Sequence, residues 1–489
     1  MHPLLTPAVS AITLICALAL LSVPAGAGVV IHVPADATTI SAGLIVATPG
    51  DTVEVACDTY AESGLSLPSG VTLRSAAYDT GCVVIDGDGR GVIMNCVSTT
   101  GATVQGITFT GGSGVNGGAV FCSNASVTFD DCHFTGNHAT NAGGGMSWTG
   151  GTPDITGCTF NGNTSDNVGA GLAINLTDGS VEGCRFGGNE ARYGAGAYAS
   201  VPGTTTQFTE CEFEWNVATD SGGFGGGGVY VTSQAAPAFF QCRFHQNQAG
   251  YGAAAFHQSD AAPHYTSCEF DDNTVGYEGG AVFGINDAAS FDDCEFTFNK
   301  PLTGAGGAIY LSGSDAVAEY CTFYMNQGND GGALAINDAA VVDLDNCTIA
   351  ENITTAGAGS IQAWSSSTIT MSETIVAFNR GSGGSRGGGT VVCDGSCTVT
   401  LSCCDVSDNE GGDWINCIAG QDALNGNLNA NPLFCDLPGY SLYLCTDSPC
   451  LPLNNDCGVL IGAWGDGGCG ACGSPVESAS WGAIKGLYR

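Results

Sequence analysis

A short unit, Cys-x-Phe or Cys-x-Ile followed by asparagine, recurs nine times through the middle of the chain. It first appears as CHFTGN at Cys132, and a glycine-rich triplet beginning at Gly143 follows it. The nine repeat cysteines are Cys132, Cys158, Cys184, Cys211, Cys242, Cys268, Cys294, Cys321 and Cys347. They are separated by 26, 26, 27, 31, 26, 26, 27 and 26 residues. A fixed period of this length is typical of a solenoid, whose repeats stack on one another.

The residues inside each unit predict how the solenoid is built. In Cys-x-Phe, two apolar side chains flank one variable residue, so the cysteine and the phenylalanine should point inward and the middle residue outward. A second strand follows the triplet, with inward pairs such as Val229 and Val231, and a third precedes the next cysteine. Three strands in about 26 residues make one turn of a parallel β-helix, with coils stacked about 4.8 Å apart. The asparagines are expected at a bend, bonded along the stack.

Charge and composition exclude some partners. The chain has 10 basic and 47 acidic residues, for a net charge of -37. Nucleic acid and anionic membrane surfaces both require a positive footprint, so neither is an expected partner. The hydrophobic content of 44% supplies a core, which argues against disorder.

The two ends of the chain differ from the repeats. Residues 1–27 are interpreted as a signal peptide, because an apolar run at 8–23 precedes an Ala-Gly-Ala cleavage site. Export to the extracellular space or the cell surface follows, with no membrane span expected in the mature chain. Residues 28–110 should form an N-terminal cap and the first coils, and the segment 38–48 could cap the first coil as a helix.

Regular repeats are expected over residues 111–392, where a degenerate last unit places Glu373 at the cysteine position. Eleven cysteines then crowd into residues 393–472, which predicts a disulfide-laced cap, with metal binding as the alternative. Residues 473–489 are a short tail.

The pairing of F-x-x-N with G-G-A-[ILV] resembles the repeats of chlamydial polymorphic outer-membrane proteins. More broadly, it resembles the right-handed parallel β-helix (pectin-lyase-like) repeats of exported bacterial proteins. The resemblance covers residues 111–379 and implies an all-β, right-handed solenoid. The segments NPLF at Asn431, SPC at Ser448 and IGA at Ile461 are similar to a terminal cap common in such proteins.

The repeated cysteines and the paired aspartates are candidates for chemistry. Side chains stacked in register point the same way, which suits neither disulfides nor convergent metal ligands, so the cysteines are interpreted as a buried structural ladder. The carboxylate pairs Asp271-Asp272 and Asp292-Asp293 could hold Ca²⁺, or could be bend residues produced by the repeat. No other cofactor is indicated.

Aromatic residues recur just after the first inward position of the second strand. On five consecutive coils they are Tyr198, Tyr230, Phe256, Phe283 and Tyr310. Alternation places them on the outside, where an aromatic stripe would offer a platform for sugar rings. The alternative is plain stacking, or cover by a neighbouring loop.

These features favour a non-catalytic glycan-binding, adhesion or interaction protein, with a polysaccharide or surface glycan as its partner. A polysaccharide lyase or glycoside hydrolase of the pectin-lyase-like fold is the first alternative. The G-H-G and R-I-K motifs that polygalacturonases of this fold carry are absent, which weakens it. A structural stalk is the second alternative, because this architecture hosts unrelated functions.

Overall fold

The computed structural model describes residues 28–77, 81–220, 222, 224–356, 359–381, 390–422 and 424–472. The predicted signal peptide and the C-terminal tail lie outside these residues. Within the described part, the chain is an all-β solenoid of parallel strands, as the repeat predicts. No helix among these residues has the length and apolarity needed to cross a membrane.

Sheet I consists of the Cys-x-Phe strands and their equivalents, fourteen in the described chain, each paired in parallel with the next coil. Its strands are Asp58–Tyr60, Val83–Asp86, Ile107–Thr110, His133–Thr135, Thr159–Asn161, Arg185–Gly187, Glu212–Glu214, Arg243–His245, Glu269–Asp271, Glu295–Thr297, Thr322–Tyr324, Thr348–Ala350, Ile375–Ala377 and Asp405–Ser407. The register pairs the phenylalanines of successive coils from Phe109 to Phe323, for example Phe244 with Phe270.

Sheet II follows the glycine triplets, and sheet III precedes the cysteines. Sheet II contains Leu65–Ser66, Met94–Val97, the first half of Val120–Asp130, Met146–Gly151, Leu172–Thr177, Ala197–Ser200, Val229–Thr232, Ala255–Gln258, Val282–Ile285, Ile309–Ser312, Leu334–Asn337, Ile361–Ala363 and Val391–Cys393. Sheet III contains Val30–Val33, Thr52–Val55, Thr72–Ser75, Thr100–Gln105, the second half of Val120–Asp130, Asp154–Thr156, Ser180–Glu182, Gln207–Thr209, Ala238–Phe240, His264–Thr266, Ser290–Asp292, Asp315–Glu319, Val341–Asp345, Thr368–Ser372 and Thr398–Ser402.

Short strands also form at the bend between sheets I and II. They are Ser113–Asn116, His138–Ala142, Thr164–Val168, Glu190–Tyr193, Val217–Ala218, Gln248–Ala249, Thr274–Val275, Lys300–Pro301, Gln327–Gly328, Ile353–Thr354 and Arg380–Gly381. The first glycine of each triplet then turns the chain. At Gly279, φ is +68° and a Cβ would lie 2.3 Å from the Val282 carbonyl oxygen, so only glycine fits.

The first coil is covered by the helix Ile40–Val46, in the segment where the sequence predicts a capping helix. The hydroxyl of Thr39 accepts a hydrogen bond from the Ala42 amide at 3.0 Å and caps its N-terminus. Ile40 and Leu44 are buried against the coil. The helix therefore protects apolar side chains that an open solenoid end would expose.

Two ladders fill the wall of the coil beside sheet I. Phenylalanine rings stack from Phe134 to Phe323 with centroids 4.6 to 4.9 Å apart. The nine repeat cysteines are buried free thiols, and each donates to a backbone carbonyl of the preceding coil, as Cys268 does to Phe239 at 3.4 Å. In the degenerate unit, Thr374 rather than Glu373 takes the cysteine position, and its hydroxyl accepts from the Cys347 amide at 3.2 Å. A hydroxyl at this position replaces the thiol as a hydrogen-bonding group.

The asparagines form a third ladder, buried at the bend after sheet I. The Asn273 side-chain amide donates to Asn299 Oδ1 at 2.9 Å and to the Phe244 carbonyl at 2.9 Å. Its own Oδ1 accepts from the amide and the side chain of Asn247 at 3.0 and 3.1 Å. Each asparagine thus satisfies backbone groups that the bend leaves without a sheet partner.

A buried histidine with two polar neighbours lies inside the solenoid at one coil. His257 occupies an inward position of sheet II, where Nε2 lies 2.8 Å from the Tyr265 hydroxyl and Nδ1 lies 3.3 Å from Asp287 Oδ2. Both the His257 and the Asp287 side chains are fully buried. The next coil has Gly284 at the inward position, and a Cβ there would lie 2.4 Å from Asp287 Oδ1. Glycine therefore leaves the space that the aspartate fills.

Asn273→Ala should lower the free energy of unfolding by on the order of 3 kcal/mol, because it removes hydrogen bonds and leaves buried backbone groups unpaired. Urea denaturation followed by circular dichroism measures the change. Asn161→Ala is the control, since Asn161 is exposed on sheet I. Equal stability of the two variants would contradict the role of the ladder.

Asp287→Ala should destabilise the protein by about 3 kcal/mol, because it removes the carboxylate 3.3 Å from the buried His257 Nδ1 and leaves a cavity. Asp338 gives a matched control, since it lies in the same local sequence, I-N-D-A-A, but is exposed. Thermal unfolding of both alanine variants tests this. A similar loss of stability in each would show that the aspartate acts through the local turn and not through its burial.

Candidate functional site

The aromatic stripe lies on the outer face of sheet II, as alternation predicts, but it is not exposed. Phe256 is 0% exposed, Phe283 5%, Tyr230 8% and Tyr310 8%. Tyr198 is half-buried. The prediction of an exposed platform is therefore wrong for all of these rings except Tyr198. The buried four pack as an apolar cluster separate from the coil interior.

A second row of aromatic residues covers the stripe. Tyr193, Phe224, Tyr251 and Tyr277 lie in the bends just before the glycine triplets. Tyr251 packs on Phe283 with ring centroids 4.8 Å apart. In the sequence, an aromatic residue one or two positions before the triplet is the signal that could have predicted this cover.

The aspartates proposed for calcium are divided between two bends. Asp271 ends a sheet I strand, where its Oδ2 lies 2.9 Å from His245 Nδ1, and Asp272 lies 3.8 Å from Lys300 Nζ. Asp292 and Asp293 precede the next sheet I strand, and Asp293 accepts from the Ser267 hydroxyl at 2.9 Å. A strand of three residues, roughly 10 Å long, separates the pairs, so these four carboxylates form no shared cation site.

Among the described residues, one group of His, Cys, Asp or Glu side chains is close enough to hold an ion. It consists of Cys435, Cys445 and Cys469 in the C-terminal region. These sulfurs already belong to disulfides, Cys435–Cys469 and Cys445–Cys472. Together with Cys393–Cys417 and Cys403–Cys457, they confirm the predicted disulfide-laced cap.

The outer face of sheet I carries a charged column. Arg243 lies between two coils, with NH1 3.8 Å from Glu212 Oε1 and Nε 3.4 Å from Glu269 Oε2. Arg185 lies on the coil before Glu212, with its Nε 3.5 Å from Glu212 Oε2. The alternation of charge at the outward position is thus a ladder of ion pairs. Glu295 continues the column on the next coil, in register with Glu269.

The C-terminal cap does more than close the end of the solenoid. After the last sheet I strand, the hairpin Phe434–Asp436 and Ser441–Leu444 and the segment around Trp464 pack back over the outer face of sheet I. Tyr324 OH donates to the Leu437 carbonyl at 3.0 Å, and Trp464 Nε1 donates to Thr322 Oγ1 at 2.8 Å. The cap therefore blocks the face at this coil.

A pocket of about 350 Å³ lies where the charged column meets the cap. Its lining is Glu295, Thr297, Phe298, Thr322, Tyr324, Gly439, Tyr440, Ser441, Leu442, Tyr443 and Trp464. Tyr440 is 61% exposed and Tyr443 44% exposed, so ring faces border the opening. Burial raises the pKa of Tyr324 to about 12. Aromatic walls beside hydroxyl and carboxylate groups suit a sugar ring, which has apolar faces and polar edges.

Glu295 is the one carboxylate in this pocket. Burial raises its pKa, and the negative charges of Glu269 and Asp293 add to the effect. No lysine or arginine of the described chain lies within ion-pair distance of it. A carboxyl group in such surroundings holds its proton more tightly than an exposed one.

A second pocket, of about 550 Å³, lies on the other side of Phe298. His245, Asp271, Asp272 and Lys300 contribute its charged groups. Phe298 lines both pockets and meets the Tyr440 ring edge-on, with centroids 5.9 Å apart. Sequence reasoning missed Glu295 and the cap aromatics. The sequence did contain a signal. The outward residues of sheet I change from charged to small or apolar at Ala350, Ile375 and Ala377, which indicates that another part of the chain covers this face.

The family comparison agrees with this architecture. The model for the right handed beta helix region matches residues 90–265 and 227–427, more than half of the chain. The chain belongs to the right-handed β-helix family. This confirms the fold and the handedness that the resemblance implies. No curated protein matches the sequence.

Several solved structures are similar to this β-helix at low identity. A mannuronic acid specific family 6 polysaccharide lyase from human gut microbiota is 12% identical, with 80% of this chain and 88% of that chain covered and a TM-score of 0.42. The mannuronan C-5 epimerase AlgE4 A-module of Azotobacter vinelandii is 12% identical, with coverage of 74% and 86% and a TM-score of 0.27. PfbA, a surface adhesin of Streptococcus pneumoniae, is 10% identical, with coverage of 74% and 83% and a TM-score of 0.27. Likenesses this weak carry no argument about function.

Phe256→Ala should lower the free energy of unfolding by about 3–5 kcal/mol, because it removes a fully buried ring and leaves a cavity. Phe240→Ala, at a ring that is 44% exposed on sheet III, should cost much less. Chemical denaturation of both variants measures the difference. A stable Phe256→Ala variant that had lost glycan retention would restore the stripe as a binding surface.

Proposed function

We propose that this β-helix is an extracellular glycan-binding protein and that its binding site is the pocket between sheet I and the C-terminal cap. The observation that carries the proposal is the lining of that pocket, in which Tyr440, Tyr443 and Trp464 face Glu295 and Thr297 across about 350 Å³. This volume suits one or two sugar rings, and the hydroxyl and carboxylate groups give hydrogen-bond partners to their edges.

The charge along sheet I favours a neutral glycan. Two arginines, Arg185 and Arg243, lie on sheet I, and Lys300 lies at the adjoining bend. Six carboxylates accompany them: Glu212, Glu214, Glu269, Asp271, Asp272 and Glu295. The bases are paired with these acids, so the face has no surplus positive charge for a polyuronate.

Disulfides support an extracellular location. Five are present in the described chain, including Cys57–Cys82 near the N-terminus, and such bonds persist in oxidising compartments. They also hold the cap segments that form one wall of the pocket. A glycan at a cell surface or in the extracellular medium is the partner that this location makes available.

Removing the exposed rings of the pocket should weaken glycan binding. We expect Tyr440→Ala and Tyr443→Ala each to reduce affinity at least about tenfold for a neutral oligosaccharide that the wild type binds. Isothermal titration calorimetry with hexasaccharides of glucan and mannan type measures this, and oligogalacturonate serves as the charged comparison.

Tyr320→Ala is the matched control, because Tyr320 is 47% exposed but lies outside the pocket. Unchanged affinity in the two pocket variants, or an equal loss in the control, would reject this site. Tighter binding of oligogalacturonate than of any neutral sugar would reject the neutral-glycan assignment.

A further inference from the structure

Two glutamates on neighbouring coils of sheet I lie next to each other on its outer face. Glu269 and Glu295 occupy the same outward position and are paired in register. Paired residues of adjacent strands lie about 4.8 Å apart, and both side chains leave the same face. Retaining glycosidases hold their two carboxyl groups roughly 5–5.5 Å apart. The register therefore sets a separation close to the one that this reaction uses.

The surroundings of the two carboxyl groups differ in a useful way. Glu269 is paired with Arg243, whose Nε lies 3.4 Å from Glu269 Oε2, and the side chain is 61% exposed. Glu295 is more buried, and burial together with Glu269 and Asp293 raises its pKa. A more buried carboxyl group suits the role of general acid, and an exposed one beside an arginine suits the role of nucleophile.

The pocket contains one member of the pair and lies beside the other. Glu295 lines the pocket, whereas Glu269 lies one coil further from the cap, on the open part of the face. A ring held between Tyr440 and Tyr443 would present its glycosidic bond toward the two carboxyl groups. The rest of the glycan would extend along sheet I toward Glu212. The cap packs on sheet I at Thr322 and Tyr324, on the next coil beyond Glu295, so we expect a chain end to enter rather than an internal segment.

We propose that this site hydrolyses a glycosidic bond at the end of a neutral glycan, with Glu295 as the general acid and Glu269 as the nucleophile. The inference rests on the proposed function, since it assigns chemistry to the same pocket. The sequence favours a non-enzymatic role because it lacks known motifs. The pair becomes visible only when the coils are stacked.

The reaction needs no partner other than water. The Glu269 carboxylate attacks the anomeric carbon while Glu295 donates its proton to the departing glycosidic oxygen, so one C–O bond forms as another breaks. Water then attacks the anomeric carbon, Glu295 takes the proton of that water, and Glu269 leaves. One water molecule is consumed for each bond cleaved, and both carboxyl groups return to their starting states.

The test combines turnover, binding and covalent trapping on the full chain. Hexasaccharides of neutral glucans and mannans are incubated with the protein, and the products are separated by chromatography. We expect a mono- or disaccharide from the first time points, which is the pattern of cleavage at a chain end. Glu295→Gln and Glu269→Gln should each lower turnover by about a thousandfold, with affinity changed less than about threefold.

Glu319→Gln is the control, because Glu319 is an exposed residue of sheet III. A 2-deoxy-2-fluoro glycosyl fluoride matching the cleaved sugar should label the peptide that contains Glu269, and the label should be absent from Glu269→Gln. Unfolding curves establish that the variants are folded.

The outcomes separate the two proposals. Binding without product release, or turnover unaffected by Glu295→Gln, overturns the catalytic assignment and leaves the glycan-binding function in place. Failure of every sugar to bind overturns both. Release of internal fragments at the earliest times overturns recognition of a chain end.

Discussion

Hydrogen bonding along the solenoid axis is the constraint on which the rest of the structure depends. Each strand finds its partners only on the coils before and after it, so every coil must repeat the register of its neighbours. The bends would break this continuity, and the buried asparagine ladder restores it, with Asn273 bonded to Asn247 on one side and Asn299 on the other. Residues of equal position therefore stack in columns over the length of the molecule.

Columns have a direct consequence for function. The inward columns of sheet I are filled by phenylalanine and cysteine, whose packing and hydrogen bonds require the same residue on coil after coil. The identity of the residue therefore varies mainly in the outward columns. On sheet I, the outward column changes from Arg243 to Glu269 to Glu295 while the backbone stays the same. Each side chain thus acquires different neighbours at nearly constant spacing. The cap, held by its disulfides, then turns one end of this column into a pocket.

The fold could be predicted from the sequence because its determinants are local and repeated. Alternation in Cys-x-Phe assigned the inward and outward faces, and the spacing of the cysteines indicated the coil. The same reasoning placed the stripe from Tyr230 to Tyr310 outward but could not reveal its burial. That burial comes from Tyr251 and its equivalents in irregular bends, whose side-chain directions follow no period.

By itself, the sequence determined the all-β solenoid, the length of its coil, the buried ladders and the disulfide-laced cap. These follow from periodicity and composition, which act on every coil alike. Tertiary structure alone decided that the cap folds back over sheet I and that Tyr440 and Trp464 line a pocket with Glu295. These contacts join residues more than a hundred positions apart, and no local pattern encodes such distances.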